Sequence, residues 1–181
     1  MIDAEYFKGW SLFLDRDGVI NNRIPGDYVK RMEEFVFVKK SPEAIAKFSK
    51  IFKHIFIVTN QQGIGKGIMD ELDLGMVHEY MLHGIQKAGG RIDKVYFCPG
   101  LAKDKPFCRK PQIGMAILAK SDFPDVDFTK SLMIGDSLSD IQFAHHAGMQ
   151  AIYIRHMDEV PKELPLGTPV YNSLGAFAFG V

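Results

Sequence analysis

Short, unbroken apolar runs alternate along the chain with longer stretches in which apolar residues recur at helical spacing. The runs are Leu12-Phe13-Leu14, Ile55-Phe56-Ile57-Val58, Lys94-Val95-Tyr96-Phe97, Leu132-Met133-Ile134 and Ala151-Ile152-Tyr153-Ile154. Runs of this kind suit strands covered on both faces, and their interleaving with helices marks crossover units, so the pattern predicts an α/β layer fold around a parallel sheet. Ser41-Pro42-Glu43 opens the first helix, with serine as cap, proline in the first turn and Ile45, Phe48 and Phe52 as its buried stripe. A second helix begins at Asp70, carries Val77, Tyr80, Met81 and Ile85 on one face, and stops at Gly89-Gly90. Pro111 opens a third, with Ile113, Ala116 and Ile117 inward; Ser137 caps a fourth, whose stripe is Leu138, Ile141 and Ala144 and whose stop is Gly148. Between the first run and the first helix lies a polar excursion, residues 21–34, followed by Phe35-Val36-Phe37-Val38, a short strand or the edge of a flap. The apolar residues 174–179 are expected to pack on the domain. There is no internal repeat, low-complexity tract or linker.

The polar residues that end these runs change the picture. Asp15-Arg16-Asp17-Gly18 follows the first run, and acids two residues apart leave a strand on the same face. One can attack or hold a metal while the other moves a proton, and Gly18 lets the backbone turn away. The alternative is an Asp-Gly turn with solvated charges. The second run delivers Thr59-Asn60-Gln61 and the fourth Gly135-Asp136. In open parallel sheets the ligand crevice lies outside the carboxyl ends of the strands, so Asp15, Thr59 and Asp136 are expected to converge.

Composition then narrows the classes. At 181 residues the chain is long enough for one well-buried core, and residues 1–181 are expected to form a single domain. Lysine plus arginine and aspartate plus glutamate each total 22, so no net field draws the chain to nucleic acid or to an anionic membrane. The first eight residues hold three charged side chains and no segment is long and apolar enough to span a bilayer, which reads as soluble and cytoplasmic. Cys98 and Cys108 are too few for a disulfide scaffold and suit a reducing compartment. Gly63-Ile64-Gly65-Lys66-Gly67 matches neither phosphate-loop signature: a Walker loop needs serine or threonine where Gly67 stands, and the dinucleotide fingerprint needs its third glycine one residue later. It reads as a flexible continuation of the Thr59 loop.

Four words in order carry a resemblance: Phe13-Leu14-Asp15-Arg16-Asp17-Gly18, Val58-Thr59-Asn60-Gln61, Cys108-Arg109-Lys110-Pro111, and Gly135-Asp136-Ser137-Leu138-Ser139-Asp140. Spread over residues 10–154, they resemble the haloacid dehalogenase superfamily of phosphatases, most closely the branch containing heptose bisphosphate phosphatase and histidinol phosphate phosphatase. The resemblance implies a Rossmann-like three-layer sandwich with a mainly parallel sheet and no separate cap domain. It implies Asp15 as nucleophile forming an aspartyl phosphate, Asp17 as acid and base, and Thr59 and Lys110 as ligands of the transferring group. Magnesium (Mg2+) would be held by Asp15, the backbone carbonyl of Asp17 and Asp136, with Asp140 behind them. The expected partner is a small phosphorylated metabolite contacted by Tyr28, Asn60, Gln61, Gln62 and Arg109. Arg109 offers a fork for a second substrate phosphate, although a surface ion pair is a nearly equal reading. Heptose bisphosphate losing its 7-phosphate is the first substrate choice, histidinol phosphate the second, and a general sugar or nucleotide phosphatase the fallback; a catalytically silent binding protein is the reading from another class.

In that branch the loop before the Cys-Arg-Lys-Pro word carries zinc on three cysteines and a histidine. Here the histidine falls on Gly100 and the middle cysteine on Pro106, so no zinc is expected unless His78 or His83 folds over the loop. Cys98 and Cys108 then read as small buried apolar residues.

Overall fold

The structure is a computed structural model describing residues 2–155 and 160–180. Six strands form one sheet: β1 (Ser11–Leu14), β2 (His54–Asn60), β3 (Lys94–Cys98), β4 (Ser131–Gly135), β5 (Gln150–Ile154) and β6 (Val170–Tyr171). Their order is β3-β2-β1-β4-β5-β6 and every pairing is parallel. The five runs read from the sequence are the first five strands. The two-residue β6 is too short to leave a periodic signal.

Because strand side chains alternate between faces, each apolar run feeds two cores. Leu12, Leu14, Ile55, Ile57, Leu132 and Ile134 enter one. There they meet Ile45 and Phe48 of α1 (Ser41–Phe48), Val77, Met81 and Ile85 of α2 (Glu71–Lys87), and Leu174 and Phe177 of α5 (Leu174–Phe179). Phe13, Phe56, Val58 and Met133 enter the other, with Met115, Ala116 and Ala119 of α3 (Gly114–Asp122) and Phe143 and Ala144 of α4 (Leu138–Ala147). Burying each large side chain contributes about 1.5–3 kcal/mol, so both layers are needed to hold the central strands. This is the three-layer α/β sandwich expected, and no separate cap is evident among the described residues. No helix among them is long and apolar enough to cross a membrane.

Several local readings are corrected. Ser41 is the first residue of α1, not its cap; Lys40 holds that place at φ 64°, and Ser41 Oγ donates to the Ile20 carbonyl at 2.7 Å, tying the helix to the loop after β1. Tyr80 stands outside the α2 stripe, 45% exposed, and His78 is buried in its stead. Ile117 is likewise exposed, because α3 begins at Gly114 rather than Pro111 and turns Met115, Ala116 and Ala119 inward. Phe37 makes an isolated bridge to Asn21, and the segment is a flap held by Asn22 N–H to the Val36 carbonyl (2.8 Å) and Val38 N–H to the Ile20 carbonyl (2.9 Å). Asp70 does cap α2, exchanging hydrogen bonds with Asp73. Ser137 and Gly148 bound α4 as expected.

The first turn of α4 presses on the end of β4. A Cβ at Gly135 would lie 2.2 Å from Cβ of Asp140, so only glycine lets that acid approach the sheet. Gly135→Ala should lower unfolding free energy in urea by about 1–3 kcal/mol, as overpacking does. A loss below about 0.5 kcal/mol, the range of neutral surface changes, would show that Asp140 yields freely.

Candidate active site

The order of the sheet reverses between β1 and β4, and the crevice at that switch is where the polar strand ends meet. Asp15 continues β1, its N–H donating to the Ile134 carbonyl at 3.0 Å. Lys110 arrives from the loop between β3 and α3, and its ammonium is buried against three acceptors: Asp15 Oδ1 at 2.8 Å, Asp140 Oδ1 at 2.6 Å and the Val58 carbonyl at 2.7 Å. Two hydrogen bonds and a close ion pair thus surround the ammonium, as a buried charge requires. Burial pulls the Lys110 ammonium down, but Asp140 and Asp15 outweigh it and hold it above its usual range. Burial pushes the Asp15 carboxyl up, Lys110 pulls it back, and Asp140 and Asp136 push it again, to about 7.

Asn60, expected to face substrate, instead clamps the lysine's backbone: Lys110 N–H donates to Asn60 Oδ1 at 3.0 Å, and Asn60 Nδ2 to the Lys110 carbonyl at 3.2 Å. Both residues line the cavity all the same.

Asp17 lines the same cavity inside a cage of donors. Arg16, the largest fully buried side chain, places Nη2 at 2.9 and 3.0 Å from its two oxygens. Asn21 Nδ2 donates to Oδ1 at 2.9 Å and Gln61 Nε2 to Oδ2 at 2.8 Å. Burial raises its pKa, yet the Arg16 charge with bonds from Asn21, Arg16 and Gln61 holds the carboxyl below its ordinary value. Gln61 also donates to Thr59 Oγ1 at 2.8 Å and is fully buried. The expectation that it contacts substrate is therefore corrected: its amide is taken up in joining Thr59 to Asp17. Behind Arg16, Nη1 lies 3.1 Å from His78 Nε2. Arginine only donates, so His78 accepts there and is neutral. This bond, not metal coordination, accounts for His78. Burial and then the Arg16 charge push its pKa down to about 3.

Asp136 follows β4, buried, and its Oδ1 accepts from Arg23 Nη2 at 2.6 Å. Arg23 Nε also donates to the Asp17 backbone carbonyl at 3.2 Å. Oxygens of Asp15, Asp136 and Asp140 lie within 4.8 Å of one another. The set is all-oxygen, as a hard divalent cation requires, and a side-chain cation already stands against two of its donors, so the residues present fit magnesium. Both oxygens of Asp140 are engaged: Oδ1 by Lys110, Oδ2 by the Ser137 N–H (3.0 Å) and hydroxyl (2.6 Å).

A cavity of about 530 Å³ opens over this cluster. Tyr28, Gln62, Lys66 and Arg109 line its outer part, with Lys66 Nζ 5.3 Å above the Tyr28 ring. Gln62 Oε1 accepts from the Ala102 N–H at 3.3 Å, and Arg109 Nη1 donates to the Gly100 carbonyl at 3.4 Å. Cys98 and Cys108 are joined, Cα atoms 5.4 Å apart, which corrects their reading as separate buried thiols. Arg16, Asn21, Arg23 and Ser137 were not singled out as site residues from the sequence. Arg16 and Ser137 left a signal there as members of two of the four words, Asn21 and Arg23 only as part of the polar excursion.

Comparison with known proteins agrees with this geometry. A family profile described as HAD-hydrolase-like matches residues 107–174. The D-glycero-alpha-D-manno-heptose-1,7-bisphosphate 7-phosphatase of Mycobacterium tuberculosis is 37% identical over 142 residues, 78% of this chain and 75% of that one. The chain belongs to the haloacid dehalogenase-like hydrolases. Within that family, the corresponding beta-heptose enzyme of Pseudomonas aeruginosa is 32% identical over 170 residues, 92% of this chain and 94% of its own. The crystal structure of D,D-heptose 1,7-bisphosphate phosphatase from B. bronchiseptica, complexed with magnesium and phosphate, superposes with a TM-score of 0.85 at 32% identity, covering 93% of this chain and 96% of that one.

The neutral His78 makes a prediction for acid stability. Its folded pKa lies near 3 against an ordinary 6.5, so the stability it confers is whole above pH 6.5 and is lost as pH falls toward 3, where the unfolded chain takes up a proton that the folded one refuses. The slope is up to ~1.4 kcal/mol per pH unit. His78→Gln keeps an acceptor for Arg16 and should flatten the fall in that window, measured by urea unfolding from pH 7 to 4. Parallel curves for the two proteins would contradict the buried, neutral assignment.

Proposed function

We propose that this chain is a magnesium-dependent phosphomonoester hydrolase that works through an aspartyl phosphate and removes the 7-phosphate of a heptose 1,7-bisphosphate. The observation that carries the reading is the contact of Lys110 with Asp15 at the floor of a cavity that Asp17 and Thr59 also line. Asp15 lines that cavity with the Lys110 ammonium against Oδ1, the setting of a nucleophile. It attacks phosphorus as the sugar oxygen departs, and Lys110 and the Thr59 hydroxyl bind oxygens of the group in flight. Asp15, Asp136 and the Asp17 carbonyl would hold magnesium, which when bound supplies positive charge against the phosphoryl oxygens.

Asp17 protonates the leaving oxygen and then takes a proton from the attacking water. Its cage favours the carboxylate, so the second task suits the resting arrangement and the first needs a proton acquired from the solvent side, where its side chain is a quarter exposed. A poor leaving group should therefore feel the loss of Asp17 more than a good one. A bisphosphate is favoured over histidinol phosphate because Lys66 and Arg109 line the outer cavity, where a second phosphate finds a point charge and a fork. The names of the relatives support the same substrate class.

With magnesium, phosphate release from heptose 1,7-bisphosphate should exceed that from histidinol phosphate by at least about tenfold in kcat/KM, one ion contact's worth of discrimination. Asp15→Asn should abolish turnover and the trapped phosphoenzyme. Asp17→Asn should cost about 10² to 10⁴ on the sugar and less on an aryl phosphate, whose leaving group needs no proton. Normal turnover by Asp15→Asn, or equal losses on both leaving groups by Asp17→Asn, would overturn the respective assignments.

A further inference from the structure

Arg23 stands where the site's chemistry calls for a metal ion, and nothing in its sequence surroundings marked it. It comes from the loop after β1, where the backbone turns at Gly18, and reaches across to the end of β4. Its guanidinium contacts two oxygens from different strand ends: Asp136 Oδ1 at 2.6 Å through Nη2, and the Asp17 carbonyl at 3.2 Å through Nε. These are two of the donors that fit a hard cation. The Asp136 side chain is wholly buried, the Arg23 side chain half exposed, and Arg23 rather than Asp136 lines the cavity. The arginine is thus a plug: it covers the carboxylate from the side by which a cation must enter.

The charge count gives the plug a reason. Asp15, Asp136 and Asp140 crowd within 4.8 Å, and Lys110 pairs with Asp15 and Asp140. Buried carboxylates so placed repel one another unless a second cation is supplied. Arg23 supplies one and, unlike Lys110, is on a side chain with room to leave. A guanidinium and a divalent ion carry like charge and compete for the same two oxygens.

We propose that Arg23 is a resident counter-cation that magnesium displaces, so that metal affinity is set by an exchange inside the protein rather than by the carboxylates alone. The inference rests on the metal reading above. Before the metal binds, Arg23 neutralises Asp136 and keeps the site assembled. When the metal binds, Arg23 gives up both oxygens and its guanidinium turns into the cavity, toward the side lined by Tyr28 and Arg109. The apparent metal affinity is lowered by the fraction of molecules in which the site is plugged.

The test is magnesium titration calorimetry on the full chain, wild type, Arg23→Gln and Arg23→Lys, at one ionic strength. A site plugged about nine-tenths of the time predicts that Arg23→Gln binds magnesium about tenfold more tightly. Arg23→Lys, which keeps the charge but not the fork that spans both oxygens, should fall between. Removing a nearby positive charge would tighten binding without any exchange, so the wild type supplies the deciding readout. In protein labelled with ¹⁵N-arginine, the Arg23 Nε–H resonance should move to the position of a solvated guanidinium as magnesium saturates. An unmoved resonance, or affinities within about twofold across the three proteins, would overturn the exchange. Absence of magnesium binding in all three would overturn the metal reading itself and the exchange with it.

Discussion

The ammonium of Lys110 is the point through which fold and site are joined. Each ion taken from water into a protein interior costs several kcal/mol, and the cost is offset only where every donor has an acceptor of good geometry. Lys110 answers with two hydrogen bonds and an ion pair to oxygens from three separate elements: Asp15 at the end of β1, the Val58 carbonyl in β2 and Asp140 in the first turn of α4. Asn60 fixes the lysine's own backbone from the end of β2. The crevice is therefore closed by charge at the place where the sheet order reverses and no strand ladder can close it. Without the cation, the acids gathered for chemistry would drive the strand ends apart.

A second layer of positive charge acts on Asp17 through Arg16. Here the pairing holds a carboxylate below its usual pKa, whereas burial and neighbouring acids raise Asp15. Two aspartates two residues apart in sequence are thus given opposite tendencies by what surrounds them, which is how one pair of like groups takes on two roles. His78 belongs to this layer as a neutral acceptor that occupies Arg16 Nη1, leaving Nη2 for Asp17. Gln61 links the layer to Thr59, so the Thr59 hydroxyl and the Asp17 carboxylate share one amide.

Much of this was legible in the sequence because the sheet is buried on both faces. Runs such as Ile55-Phe56-Ile57-Val58 announce their burial, and the residues that stop them announce where the crevice lies. Asp15, Asp17, Thr59 and Asp136 were found that way, Lys110 through the resemblance of its word, and the five meet at one place. What was not legible depends on contacts between distant segments. Nothing local to Arg23 shows that it reaches Asp136, more than a hundred residues on. Ser41 looked like a cap, but a tertiary bond to Ile20 claimed its hydroxyl. Gln61 sits in a word expected to face substrate, yet Asp17 and Thr59 both take up its amide nitrogen. The cysteines were read through absent zinc ligands, and that reasoning did not consider that the two remaining sulfurs could meet each other.

The central claim is that a buried lysine both holds the acid cluster together and serves the phosphoryl group. Lys110→Met, close in length and without charge, tests both halves at once by urea unfolding and by single-turnover phosphoenzyme formation. The account predicts that unfolding free energy falls by about 3–5 kcal/mol, the effect of stranding buried acids, and that phosphoenzyme is not formed. A variant as stable as the wild type and still phosphorylated on Asp15 would contradict it.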